Sequence, residues 1–336
     1  MIMIISIFSV EDIRRKLQNY NSFSLLIAEL HNRDKWERDD RMFRLETSKL
    51  DIAYEERLIV EDLSIQIPQG KITALVGANG SGKSTILKTM ARIMAPKAGN
   101  VLLDGKSIHK QSTREVAKQL AILPQNPTAP EGLTVTELVS YGRFPYQKGF
   151  GSMRAEDKRM IEWAIEVTAM TEFHDRPIDQ LSGGQRQRAW IAMALAQDTD
   201  ILFLDEPTTF LDMAHQLEVL QLLEQLNATS NRTIVMVVHD LNHASRYAHH
   251  MIGIKKGKAI AHGSPVEVMN SDVLREVFNI EADIVIDPRS GVPLCLPYAL
   301  AGERQQSITP DQMVMNSAMV HTGGRTEQRV RQAMGS

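Results

Sequence analysis

KITALVGANGSGKST, residues 71–85, joins a nearly unbroken apolar run to a glycine-rich turn and then to a helical pattern expected over 86–94. A run this continuous suits a strand covered on both faces, as in a parallel sheet, better than one with a wet side. Residues 77–84 have the form GxxxxGK[ST], placed after a buried strand and before a helix, where its mechanism requires it. Such a loop surrounds an anionic phosphate with backbone N–H groups, here those of Gly77, Ala78, Asn79, Gly80, Ser81, Gly82, Lys83, Ser84 and Thr85. Lys83 is expected to reach the β- and γ-phosphates of a nucleotide, and Ser84 to ligate Mg²⁺.

Outward from this segment, the pattern alternates. SKLDIAY and DLSIQI precede it as β-rich runs, and LAILPQ, ILFLDEP and TIVMVVHD follow as buried strands. Between them RAEDKRMIEWAIEVTAM, GQRQRAWIAMALAQ and HQLEVLQLLEQLNAT place apolar residues at spacings of three and four, the helical period. Strands alternating with helices predict an α/β fold, with residues 126–196 read as a helical insertion. After His239 a short helix, a hairpin at HMIGIKKGKAIAHG, a helix near SDVLREVFN and a strand pair around DPRSG are expected.

Asp205 and Glu206 end the apolar strand ILFLDE, which puts two carboxylates at the carboxyl edge of a sheet, where ligands bind in open α/β folds. Asp205 suits the shell of a Mg²⁺ ion, through water, and Glu206 a general base acting on the attacking water. A second glycine cluster, LSGGQRQR at 181–188, stands directly before a helix. The Ser182 hydroxyl, the N–H groups of Gly183, Gly184 and Gln185 and the helix dipole form another anion site. Two phosphate-seeking loops in one chain suggest that each nucleotide is held between two copies of the protein. His239 and His243, followed by His249 and His250, invite a metal-site reading, but neither HExxH nor a cysteine cluster accompanies them.

The 38 basic and 41 acidic residues in 336 leave a net charge of −3, without the strongly basic footprint of a dedicated nucleic-acid binder. Cys295 is the sole cysteine, which excludes a disulfide framework and suits a small buried apolar residue. The opening MIMIISIF is shorter than the ~20 apolar residues of a spanning helix and lacks a basic region or cleavage site. Any action on a membrane therefore runs through a partner or surface contact. Residues 1–41 combine an amphipathic pattern at 10–20 with the polar run HNRDKWERDDR, and residues 301–336 lack aromatics and sustained periodicity, as in a mobile tail.

These motifs together resemble the ATP-binding subunits of ABC transporters, over about 45–299 of the chain. GANGSGKST resembles the family's Walker A, LSGGQRQR its signature and ILFLDEP its Walker B. Gln125 in LPQ corresponds to the Q-loop, His239 in VVHD to the H-loop and Asp212 at the end of TTFLD to the D-loop. The resemblance implies a P-loop ATPase with a mixed core sheet, an antiparallel β subdomain and a helical subdomain at about 126–196 within a domain spanning 42–300. It implies that Tyr54, otherwise a strand aromatic, stacks on adenine. Gln125 would touch the Mg²⁺ and water region and signal to the transporter, and His239 would orient the γ-phosphate and water.

The same resemblance implies ATP and Mg²⁺ as cofactors and a second copy of the chain, with Ser182, Gly183, Gly184 and Gln185 facing the opposite subunit's ATP. It further implies a multi-span permease, an indirect substrate-binding protein (periplasmic or lipoprotein) and a place on the cytoplasmic face of the membrane, with no nucleic acid involved. NPTAPEGLTVTELVSYGRFPYQ (126–147) and PTTFLDMAHQLEVLQLL (207–223) resemble importers of iron(III)-siderophores, with cobalamin and haem importers close. Non-transport relatives carry a long coiled coil or tandem domains, for which 125–181 is too short and one Walker A too few. A phosphate-binding regulator without hydrolysis conflicts with the presence of both Glu206 and His239. Relatives begin near the equivalent of Met42, so residues 1–41 are read as a mis-assigned start or an extension.

Overall fold

The computed structural model describes residues 43–147 and 153–302; the amphipathic pattern at 10–20, the start near Met42 and the tail after 302 lie outside the described residues. The chain enters through β1 (Phe43–Tyr54), β2 (Arg57–Leu63), β3 (Gln66–Pro68) and β4 (Ile72–Val76), followed by α1 (Lys83–Met90). Next come β5 (Ala98–Leu103), β6 (Lys106–Ser107), α2 (Thr113–Ala117) and β7 (Leu120–Leu123). The helices α3 (Val135–Ser140), α4 (Ala155–Val167) and α5 (Gly183–Ala196) lead to β8 (Ile201–Asp205), α6 (Met213–Ser230), β9 (Thr233–Val237) and α7 (Leu241–Tyr247). The hairpin β10 (His250–Lys255) and β11 (Lys258–Gly263), then α8 (Pro265–Val268), α9 (Ser271–Phe278) and the hairpin β12 (Ile280–Ile286) and β13 (Pro293–Leu300) complete it.

The core sheet has the order β11-β10-β4-β9-β8-β7, parallel from β10 to β7, with β11 antiparallel at the edge. Every residue of β4, β8 and β9 is buried. Alternate side chains serve two cores: Ile72, Ala74, Leu202, Leu204, Ile234 and Met236 face the helices, while Leu75, Ile201, Phe203, Val235 and Val237 face α1 and the antiparallel sheet. That double cover explains the unbroken apolar runs. Each fully buried aliphatic side chain contributes roughly 1.5–3 kcal/mol relative to exposure, so these strands fix the course of the chain.

The antiparallel sheet is built on β1, which pairs with β2, β3 and β5. Arg44 ties it to the core: its Nε and Nη2 bond Asp104 at 2.8 and 2.9 Å, and its Nη1 bonds Asp200 at 2.8 Å. The strands β5 and β6 carry no strong local strand signal, because AGNVLL holds Gly99 and Asn100; pairing with β1 makes the strand. The first helix also differs from the expected 86–94. It starts at Lys83, because the phosphate loop runs straight into the first turn, and stops at Met90. Arg92, at φ +63°, ends it: its N–H bonds Thr89 O and that of Ile93 bonds Lys88 O, a Schellman closure that glycine usually marks.

Among the described residues of 126–196 the regular structure is helical. Arg143, fully buried there, donates to Asp157 Oδ1 and to Ala196 O, both at 2.8 Å, and its guanidinium lies 4.0 Å from the Tyr146 ring centroid. The segment after Gln125 is thereby pinned to α4 and α5. Removing Arg143 or Asp157 alone would leave the other as a buried unpaired charge, at a cost of about 3–5 kcal/mol. No helix among the described residues is long and apolar enough to cross a membrane.

Candidate active site

Strand register gathers the site. Leu75 pairs with Val237, Asp205 with Val237 and Leu123 with Leu204, so the segments leaving β4, β8, β9 and β7 emerge at one carboxyl edge. The loop after β4 is clamped from outside: Gly257 N–H donates to Ser81 O at 2.8 Å. Gly77, at φ +151°, has no room for a side chain, since a Cβ would sit 2.1 Å from Ile254 O. Lys83 opens α1 and folds back, its Nζ donating to Gly77 O at 2.8 Å and Ala78 O at 3.0 Å. Burial lowers the pKa of its ammonium, opposed by the carboxylates of Glu206 and Asp205.

Ser84 Oγ donates to Asp205 Oδ1 at 2.7 Å across 121 residues of sequence. Asp205 is buried, and its Oδ2 accepts no hydrogen bond, with Lys88 Nζ at 3.7 Å. Glu206 follows β8 at φ +56°, a left-handed backbone that a non-glycine residue adopts at some energetic cost. It is the hub of the site. His239 Nε2 lies 2.6 Å from its Oε1, while Gln125 Nε2 and Thr209 Oγ1 donate to its Oε2 at 2.5 and 2.9 Å. Burial opposes ionisation of Glu206, but the bonds from His239, Thr209 and Gln125 outweigh it and hold the carboxyl below its ordinary value.

His239 follows β9, and the helix behind it is fixed by the C-terminal hairpin. Asn242 of α7 pairs with the Cys295 backbone, accepting from its N–H at 2.7 Å and donating to its O at 3.2 Å, and Ser245 Oγ donates to Pro293 O at 2.6 Å. Cys295 is buried. Of the other histidines, the His243 N–H caps onto Asp240, and His249 Nδ1 accepts from Ile72 N at 3.1 Å. Tyr54 stands half-exposed at the β1–β2 turn, and Ile59 and Val60 of β2 abut the position a Gly82 Cβ would take.

Ser182 caps α5 in a capping box with Gln185: Ser182 Oγ accepts from Gln185 N at 3.3 Å and Gln185 Oε1 from Ser182 N at 3.1 Å. Gly183 and Gly184 form the first turn. Asp212 caps α6 and is exposed. Among the described residues no hydrogen bond joins 182–185 or Asp212 to the phosphate loop within one chain. Sequence reading missed three supports of the site: Thr209, Lys88 and the β10–β11 turn at Gly257. The Thr209 hydroxyl, three residues beyond Glu206, was the one signal that could have been used.

A phosphate loop after one core strand, an acid pair ending a second and a histidine after a third define a P-loop nucleoside triphosphatase. The family model described as ABC transporter matches residues 60–209. Over 268 residues the chain is 61% identical to the iron(3+)-hydroxamate import ATP-binding protein FhuC of Bacillus subtilis (strain 168), covering 80% of this chain and 100% of that protein. It is 52% identical to the petrobactin import ATP-binding protein FpuD of Bacillus anthracis, over 76% of this chain and 93% of that one. A dimeric post-hydrolysis structure of the ATP-binding cassette MJ0796, bound to ADP and Pi, superposes with a TM-score of 0.58 at 28% identity, covering 66% of this chain and 98% of that one. The chain belongs to the ABC transporter family, as one of its ATP-binding subunits.

Proposed function

We propose that this chain is the ATPase that powers import of an iron(III)-siderophore, of the hydroxamate class first, through a separate membrane permease. The observation that carries the reading is the convergence of Gln125, Thr209 and His239 on Glu206 beside the phosphate loop, in a chain 61% identical to an iron(3+)-hydroxamate import subunit along that protein's whole length. The N–H groups of 77–85 and the Lys83 ammonium hold the phosphates, and Tyr54 stacks on adenine. Glu206 takes the proton of the attacking water, and His239 and Gln125 orient that water and the γ-phosphate. Two copies close head to tail, so that Ser182, Gly183, Gly184, Gln185 and Asp212 of one face the nucleotide of the other. The closed dimer drives the permease from the cytoplasmic side, with a substrate-binding protein delivering the chelate to the permease from the opposite side.

Mg²⁺ fits the residues present. The buried Asp205 Oδ2 lacks a hydrogen-bond donor, and Ser84 Oγ stands on the other oxygen of the same carboxylate. Ser84, Asp205 (through water) and Gln125 would hold the ion, which when bound neutralises phosphate charge.

In cells deleted for this chain, uptake of radiolabelled iron(III)-hydroxamate is expected to fall to background. The parent chain should restore it, and Glu206→Gln should not. Normal hydroxamate uptake with loss of cobalamin or haem uptake would overturn the substrate assignment.

A further inference from the structure

Asp212 and the turn 182–185 lie on different helices, yet one side chain touches both. Asp212 Oδ1 accepts two bonds from His215, from its backbone N at 3.0 Å and from its ring Nδ1 at 2.8 Å. The other side of that ring abuts Gly184: a Cβ there would meet His215 Cδ2 at 2.3 Å, Cγ at 2.7 Å and Nε2 at 3.0 Å. Any side chain at 184 would thus have to displace the imidazole. Beside this contact, Leu211 Cδ2 lies 3.8 Å from the place of a Gly183 Cβ, and one turn further along both helices Arg188 pairs with Glu218. Gln216 Nε2 donates to Leu211 O at 3.1 Å and braces the segment leading to Asp212.

We infer that His215 is a positioning residue that sets the distance between the 182–185 turn and Asp212, so that both meet the second copy's nucleotide as one rigid unit. The inference rests on the two-copy reading above. Its chemistry explains the residue type. Asparagine at 215 donates to Asp212 but is too short to reach Gly184, and an aliphatic side chain fills the space without the bond. Displacing either segment by about an ångström is enough to cost up to ~10²-fold in a reaction that depends on alignment.

The test uses the full chain carrying Glu206→Gln, in which slow hydrolysis lets ATP-driven dimers accumulate, with dimerisation followed by light scattering against protein concentration. Adding His215→Ala is expected to raise the midpoint by about tenfold or more, while binding of a fluorescent ATP analogue to the monomer is unchanged. His215→Asn, which keeps the bond to Asp212, should recover part of the loss; it also serves as the test should the alanine variant fail to fold. An unchanged midpoint for both variants overturns the role of His215 and leaves the two-copy reading standing. Failure of Glu206→Gln itself to dimerise with ATP overturns both.

Discussion

Glu206→Gln is expected to bind ATP as the parent does and to hydrolyse it roughly 10²–10⁴-fold more slowly, the usual yield of a positioned general base. Glutamine fits the same bonds. Its amide oxygen can accept from Gln125 Nε2 and Thr209 Oγ1 in place of Oε2, and its NH₂ can donate to His239 Nε2 in the tautomer that carries the proton on Nδ1. The geometry survives and the proton acceptor is lost, so a defect in turnover without a defect in binding isolates the chemical step. The carboxyl, held below its ordinary 4.5, stays ionised as pH falls through the neutral and mildly acidic range. Loss of activity by Glu206 protonation therefore belongs below that value in a pH–rate profile. Parent-like turnover by the glutamine variant, measured as phosphate release, would remove Glu206 from the role.

Lys83→Ala is expected to fail one step earlier, weakening ATP binding by roughly 10- to 100-fold, as for loss of charged hydrogen bonds of about 1.5–3 kcal/mol. The ammonium is already desolvated and held on Gly77 O and Ala78 O at the mouth of the loop. Its transfer to phosphate therefore involves little further loss of hydration. An arginine would not be a conservative replacement, since the planar guanidinium does not fit a site shaped for a compact ammonium. A fluorescence titration with an ATP analogue checks the prediction, and parent-like affinity would contradict it. Together the two variants separate holding the phosphates from breaking the bond between them.

The two halves of this site were not equally visible in the residues. The phosphate loop is local: its glycines, Lys83 and Ser84 are contiguous, and the flanking apolar runs of β4, β8 and β9 stay legible because both faces of each strand are covered. The acid pair was legible for the same reason, as the polar end of a buried strand. By contrast Gln125 and Glu206 are 81 residues apart and meet through the registers of β7 and β8. Read from residues alone, the spacing of His239 and His243 invited a metal reading that no HExxH or cysteine cluster supported, and only the family resemblance gave His239 its nucleotide role. The strand at β5 and the end of α1 at Arg92 went unread, since one is made by its partner β1 and the other uses a left-handed backbone without the glycine that usually announces it.

By itself, then, the sequence determined the phosphate loop, the acid pair, the alternating strands and helices and the class of ATPase, because each is written in contiguous residues or in a periodic pattern. The tertiary structure alone decided that Glu206 is the hub of Gln125, Thr209 and His239, that Asp205 keeps one buried oxygen without a donor, and that His215 locks Asp212 to Gly184. Gln125 and His239 on Glu206, and His215 against Gly184, are contacts between distant segments, fixed by strand register and helix packing, which short-range residue patterns do not record; only the bonds of Thr209 to Glu206 and of His215 to Asp212 span three residues.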